Sequence, residues 1–174
     1  ERAELAEIRY VDRDGRLRLV RARQALLACW HRVIARLTDE LPAAQVAALN
    51  DQVKTPLLYT TVLLSNWRAW QRAGISSLGV VDGFWGDVAL DFPVSMGAQR
   101  FAQSPSEPVL LHLSKVVVPG NGESARRQAS RGRAMLTGWD FGFLEGQVRS
   151  LLQGALGGFG FDAARDIEAI TVNR

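Results

Sequence analysis

With 174 residues, 47% of them hydrophobic, the chain has the length of one domain plus part of a neighbour and enough apolar side chains for a sizeable core, which excludes wholesale disorder. The formal charge is +3 and rests on arginine, since Lys54 and Lys115 are the only lysines; with no basic face interleaved with aromatics, nucleic-acid binding has no footing. Cys29 is alone and His31 and His112 lie far apart, so an intramolecular disulfide and a zinc site are not expected. No apolar run reaches the roughly 18 residues of a membrane span, and Glu1-Arg2-Ala3-Glu4 lacks the basic-then-apolar pattern of a signal peptide.

The chain opens on a predicted hairpin. Ala6–Val11 and Leu17–Ala22 alternate polar and apolar residues, and Asp12-Arg13-Asp14-Gly15 supplies turn chemistry between them. Gln24–Cys29 is a short continuous apolar run, the pattern of a strand buried on both faces. Helices are predicted near 31–37 and over 42–53, the second with Pro42 early in it after the acidic Asp39-Glu40. Leu57–Leu64 reads as a strand, and 66–73 as a short helix stopped by Gly74. Several short strands alternate with glycine over 78–101, and Val109–Val118 is another strand. From Glu123 to about Leu156 the apolar spacing of three and four predicts one long amphipathic helix. Asp162 caps a short turn, and Ile167–Val172 is a last strand. Both ends read as cut, so a piece of a larger protein is expected.

Few segments look chemical on their own. Gly154–Gly160 is glycine-rich, but it follows a helix rather than a strand, which suits a helix end and not a dinucleotide loop. Arg126, Arg127, Arg131 and Arg133 read as a solvated helix face. His112, inside Leu110-Leu111-His112-Leu113, reads as a core or near-core histidine. No G-x-S-x-G nucleophile elbow occurs. The middle third gathers Trp67, Trp70, Phe84, Trp85, Phe92 and Phe101 beside Asp82, Asp87 and Asp91. Aromatic faces with carboxylates suit a cationic amine, but from spacing alone ordinary core and surface packing is the favoured reading.

Several segments taken in order carry a resemblance. They are Arg21–Cys29, Val53–Thr60, Asn66-Trp67-Arg68-Ala69-Trp70, Leu90–Gly97 and Phe161–Arg174. Together they resemble the spermidine dehydrogenase-like branch of the flavin-containing amine oxidoreductases, over nearly the whole chain. The resemblance implies an α+β fold: a mixed sheet flanked by helices, as in an amine oxidase-type substrate domain, behind an N-terminal β-hairpin of an FAD domain. Residues 1–53 then belong to the FAD-binding domain, 54–166 to the substrate domain, and 167–174 to a strand returning to the FAD domain.

The implied activity is hydride removal from the carbon next to the nitrogen of a polyamine-like substrate, with FAD bound mainly by segments absent from this chain. Trp85, Asp87, Asp91 and Phe92 are the expected substrate wall, and Ala28, Cys29, Tyr59 and Thr60 lie toward the cofactor; no metal is expected. Many flavin amine oxidases carry a lysine on the strand entering the substrate domain. Here that stretch is Leu58-Tyr59-Thr60-Thr61, and the nearest lysine is Lys54. Expected partners are the remaining FAD-domain segments and a small amine, in a soluble protein of bacterial type whose compartment the residues do not specify. A non-catalytic interaction module derived from the same fold is the alternative.

Overall fold

The computed structural model describes residues 5–91, 93–120 and 122–174. The chain divides into two compact units, residues 1–52 and 53–174.

In the first unit, β1 (Ala6–Val11) pairs antiparallel with β2 (Leu17–Ala22), Ala6 opposite Ala22 and Val11 opposite Leu17. The turn is organised by Asp12. Its carboxylate accepts from the amides of Asp14 and Arg16 at 3.0 and 2.9 Å and from Arg18 Nε at 2.7 Å. The Arg18 bond, then the Arg16 amide, holds this carboxyl below its ordinary range. Gly15 takes φ +77°, which a side chain would oppose. Helices α1 (His31–Ile34) and α2 (Ala43–Asp51) follow, with Pro42 at the N-cap of α2.

The expected buried strand at 24–29 does not form. These residues are irregular, and Leu26 is 94% exposed. An apolar run becomes a strand only when a neighbour satisfies its amides and carbonyls, and β1 and β2 pair only with each other.

The second unit is built on five strands in the order β4-β5-β6-β3-β7: β3 (Leu57–Leu64), β4 (Ser77–Gly79), β5 (Asp87–Leu90), β6 (Val109–Val116) and β7 (Ile167–Asn173). Every pairing is antiparallel, which corrects the mixed sheet expected from sequence. β7 pairs with β3 from Ile167 to Asn173, so the last strand is part of this sheet along its whole length. Among the described residues between 78 and 101, β4 and β5 are the only strands. Asp82 between them has φ 56°, and the later stretch adds only a bridge between Met96 and Gln99.

Alternation along β3 and β6 sorts side chains onto two faces. Leu58, Thr60, Val62 and Leu64 go to one side with Val109, Leu111 and Leu113. That side is the core, shared with Trp70, Trp85, Val88 and the helices. The helices are α3 (Arg68–Ala73), α4 (Ala125–Gly138), α5 (Phe141–Leu156) and α6 (Ala163–Asp166). Gly74 ends α3 in the left-handed region, φ +70°. Leu144, Val148, Leu152 and Leu156 form the buried stripe of α5.

The single helix expected from 123 to 156 is two. Trp139 and Asp140 are extended, and the Asp140 carboxylate accepts from the Phe143 amide at 2.7 Å, starting α5 afresh. Both helices keep an apolar face toward the core, so spacing runs through the break while a cap interrupts the backbone.

Two close contacts fix the helices. Gly132 of α4 lies where an added Cβ would collide with the Val117 carbonyl oxygen and press on the Pro56 ring. At the corner between α6 and β7, Asp166 is 2% exposed. It accepts from Arg165 Nε and Nη2 at 2.8 Å each, from the Asp162 amide at 2.9 Å and from Asn66 Nδ2 at 3.1 Å. Led by the Arg165 bonds, these lower its carboxyl from 3.8 to about 2 despite burial.

Candidate functional site

The opposite face of the sheet carries Leu57, Tyr59, Thr61 and Leu63 from β3 and Leu110, His112, Ser114 and Val116 from β6, all intermediate or exposed. The antiparallel register sets Tyr59 opposite Ser114 and Thr61 opposite His112. β5 continues the row: Asp87 lies opposite Ser114 and Ala89 opposite His112, and Asp91 follows directly after the strand. β7 adds Thr171 and Asn173 beside Thr61 and Tyr59.

These side chains bond to one another. His112 Nε2 lies 3.1 Å from Asp91 Oδ1, and its Nδ1 lies 3.3 Å from Thr61 Oγ1. A carboxylate only accepts, so Nε2 carries the proton and, in the neutral ring, the Thr61 hydroxyl donates to Nδ1. The Tyr59 ring stacks on the imidazole, centroids 5.2 Å apart and planes 24° from parallel. The Ser114 hydroxyl donates to Asp87 Oδ1 at 2.5 Å. Burial first, and then the Asp91 and Asp87 charges, raise the Tyr59 phenol above its usual 10.0, so it stays neutral. Beyond Asp91 a depression of about 240 Å³ is lined by Leu63, Arg100, Phe101 and Leu110 among others.

The expected site residues therefore fall in different places. Asp87, Asp91 and Tyr59 come together on the open face. Thr60, next to Tyr59, points into the core with 0% exposure, its hydroxyl without a partner in the structure. Trp85 is 1% exposed and packs edge-on to Phe84 at 5.2 Å. Phe84 also meets Trp139 and Phe143, at 5.0 and 5.4 Å. The cation on this aromatic group is the chain's own Lys115, 4.7 Å from the Phe84 centroid. Ala28 and Cys29 are exposed in the first unit. Phe92 lies outside the described residues.

His112 and Thr61 were not singled out as site residues from sequence. His112 is half-buried, at 26% side-chain exposure, and faces away from the core. The alternation Leu111-His112-Leu113 carried that signal: two inward leucines oblige the residue between them to face outward. Among the described residues no three His, Cys, Asp or Glu side chains converge as a metal site. No helix among the described residues is long and apolar enough to cross a membrane.

No family model matches the chain, and no curated protein does. Among solved structures it is similar to a redesigned double mutant of putrescine oxidase, an oxidase whose cofactor binding was the object of the redesign. The match covers 88% of this chain at 11% identity, with a TM-score of 0.55. The fold is amine oxidase-like. The chain spans 29% of the length of that oxidase.

Proposed function

We propose that this chain is the substrate-facing portion of an FAD-dependent amine oxidoreductase of the spermidine dehydrogenase-like branch, acting on a polyamine-like cation. The observation that carries the reading is the open sheet face, where a His112–Asp91 pair stacked by Tyr59 and a Ser114–Asp87 pair lie side by side on an amine oxidase-like fold. Asp87 and Asp91 attract an ammonium group, and the Tyr59 ring, kept neutral, offers a π face to it. In this reading Trp85 and Phe84 stiffen the sheet from behind, and Tyr59 is the residue turned toward the cofactor side. Thr60 contributes through its backbone alone. Residues 1–53 are assigned to the FAD domain, 54–166 to the substrate domain and 167–174 to a strand returning to the FAD domain.

The described residues show no dinucleotide-binding unit of the Rossmann type. β6 is followed by α4, yet every strand pairing described is antiparallel, so among these residues no parallel β-α-β unit aims a helix N-terminus at a pyrophosphate. In the proposed enzyme other residues bind FAD, which supplies the acceptor for hydride leaving the carbon next to the amine. This chain binds and orients the cation.

The test is anaerobic mixing of the purified parent protein with spermidine or 1,4-diaminobutane while following visible flavin absorbance. Bleaching by the amine is expected, with Asp91→Asn raising the amine concentration needed at least tenfold. A colourless parent that still binds the amine would leave a non-catalytic binding module in its place.

A further inference from the structure

Among the side chains described in the row, imidazole is the one type that exists in either charge state near neutral pH. Both ring nitrogens of His112 are engaged, Nε2 by Asp91 and Nδ1 by Thr61. It is therefore not free to take a proton directly from a bound amine. The two contacts nevertheless tolerate both charge states. When the ring is neutral, Thr61 donates to Nδ1; when it is protonated, Nδ1–H donates and the Thr61 hydroxyl oxygen accepts. The ring can gain or lose charge without turning.

The surrounding charges make that change decisive. From β5 and the residue after it come Asp87 and Asp91, and Arg100 lines the adjoining depression with Asp91. β3 contributes the neutral Tyr59 and Thr61, β7 the non-titrating Thr171 and Asn173, and β6 Ser114. Lys115 of β6 points to the Phe84 ring on the other side. Two carboxylates against one guanidinium leave one negative charge while the imidazole is neutral, and none once it is protonated.

We infer that His112 sets the charge of the open sheet face, and that this makes the face select diamine cations when the ring is neutral and release them when it is protonated. The inference rests on the amine-binding reading above, but not on the flavin. His112 is here a specificity-determining residue that acts through charge, with Asp91 and Thr61 holding it in place.

The experiment is titration of the chain with 1,4-diaminobutane at pH 5 and pH 8, followed by NMR on the imidazole protons. Its ammonium groups, like a lysine's, keep their protons throughout this range. One unit of charge at the edge of a solvated site corresponds to about a five- to tenfold change in affinity, so binding should tighten by that factor at pH 8. By reciprocity, saturating diamine should move the His112 titration to lower pH, while His31 stays put. His112→Gln, which can still donate to Asp91 and accept from Thr61, should bind with similar strength at both pH values. Equal affinity of the unaltered chain at the two pH values would overturn the inference and leave amine binding standing. So would a pH dependence that survives His112→Gln. No binding at either pH would overturn both.

Discussion

The two units of the chain solve the folding problem by different means. No described residue of the first unit is buried, and its hairpin exposes Ile8, Tyr10, Leu17 and Leu19. Its order comes from local chemistry: the Asp12 turn, the positive φ of Gly15 and a Glu7–Arg21 pair at 2.9 Å across the ladder. The second unit holds every buried hydrophobic residue described, with Leu58, Val62, Leu111 and Leu152 at 0% exposure. Turn residues and alternation are thus enough to specify an element, whereas only a shared core makes elements depend on one another.

The contrast can be broken most directly at Leu111. Leu111→Ala should cost about 2–5 kcal/mol, as in other buried leucines, read as a lower urea midpoint for the second unit. Next comes acid. Asp166 has its folded carboxyl at about 2 against a usual 3.8. Its contribution is complete above the usual value and is lost as pH falls through about 2. Roughly 2 kcal/mol of second-unit stability should disappear between about pH 4 and pH 2. Asp166→Asn should flatten that part of the pH profile. Smallest is Leu19→Ala in the hairpin, at a residue 48% exposed. It should change stability by less than about 0.5 kcal/mol; a loss as large as that of Leu111→Ala, measured by amide exchange in β1 and β2, would erase the distinction between the units.

The same contrast explains what could be read from sequence. Where the cause is local, the residues declare it: Asp12 and Gly15 in the turn, Gly74 ending α3, and Asp162 accepting from the amides of Ala164 and Arg165. Where a partner decides, they do not. Gln24–Cys29 has a strand's composition and no neighbouring strand among the described residues, and the helix expected across 123–156 hides a cap at Asp140 beneath unbroken apolar spacing.

The candidate site was legible by halves. The sequence points to Asp87 and Asp91 as substrate-wall carboxylates and to Tyr59, with Thr60, as lying toward the cofactor; the register sets Tyr59 on the same face as the two carboxylates. Grouping Tyr59 with Thr60 overlooked that neighbours in a strand face opposite ways. The Asp91–His112 contact depends on the antiparallel register that sets Ala89 opposite His112. That register joins residues some twenty positions apart in the chain, and no local pattern encodes it.

Gly132 bears on more than packing density. The helix α4 can come this close to the Val117 carbonyl and Pro56 only where it has no side chain. The residues one turn away on the same buried face, Ala129 and Leu136, carry side chains, so moving the helix by a turn would drive a Cβ into that carbonyl. The notch thus holds the helix at the turn that presents Gly132. The same notch that admits it also indexes it, as a key is indexed by its cut, and Trp139 and Asp140 at its far end inherit their position from there.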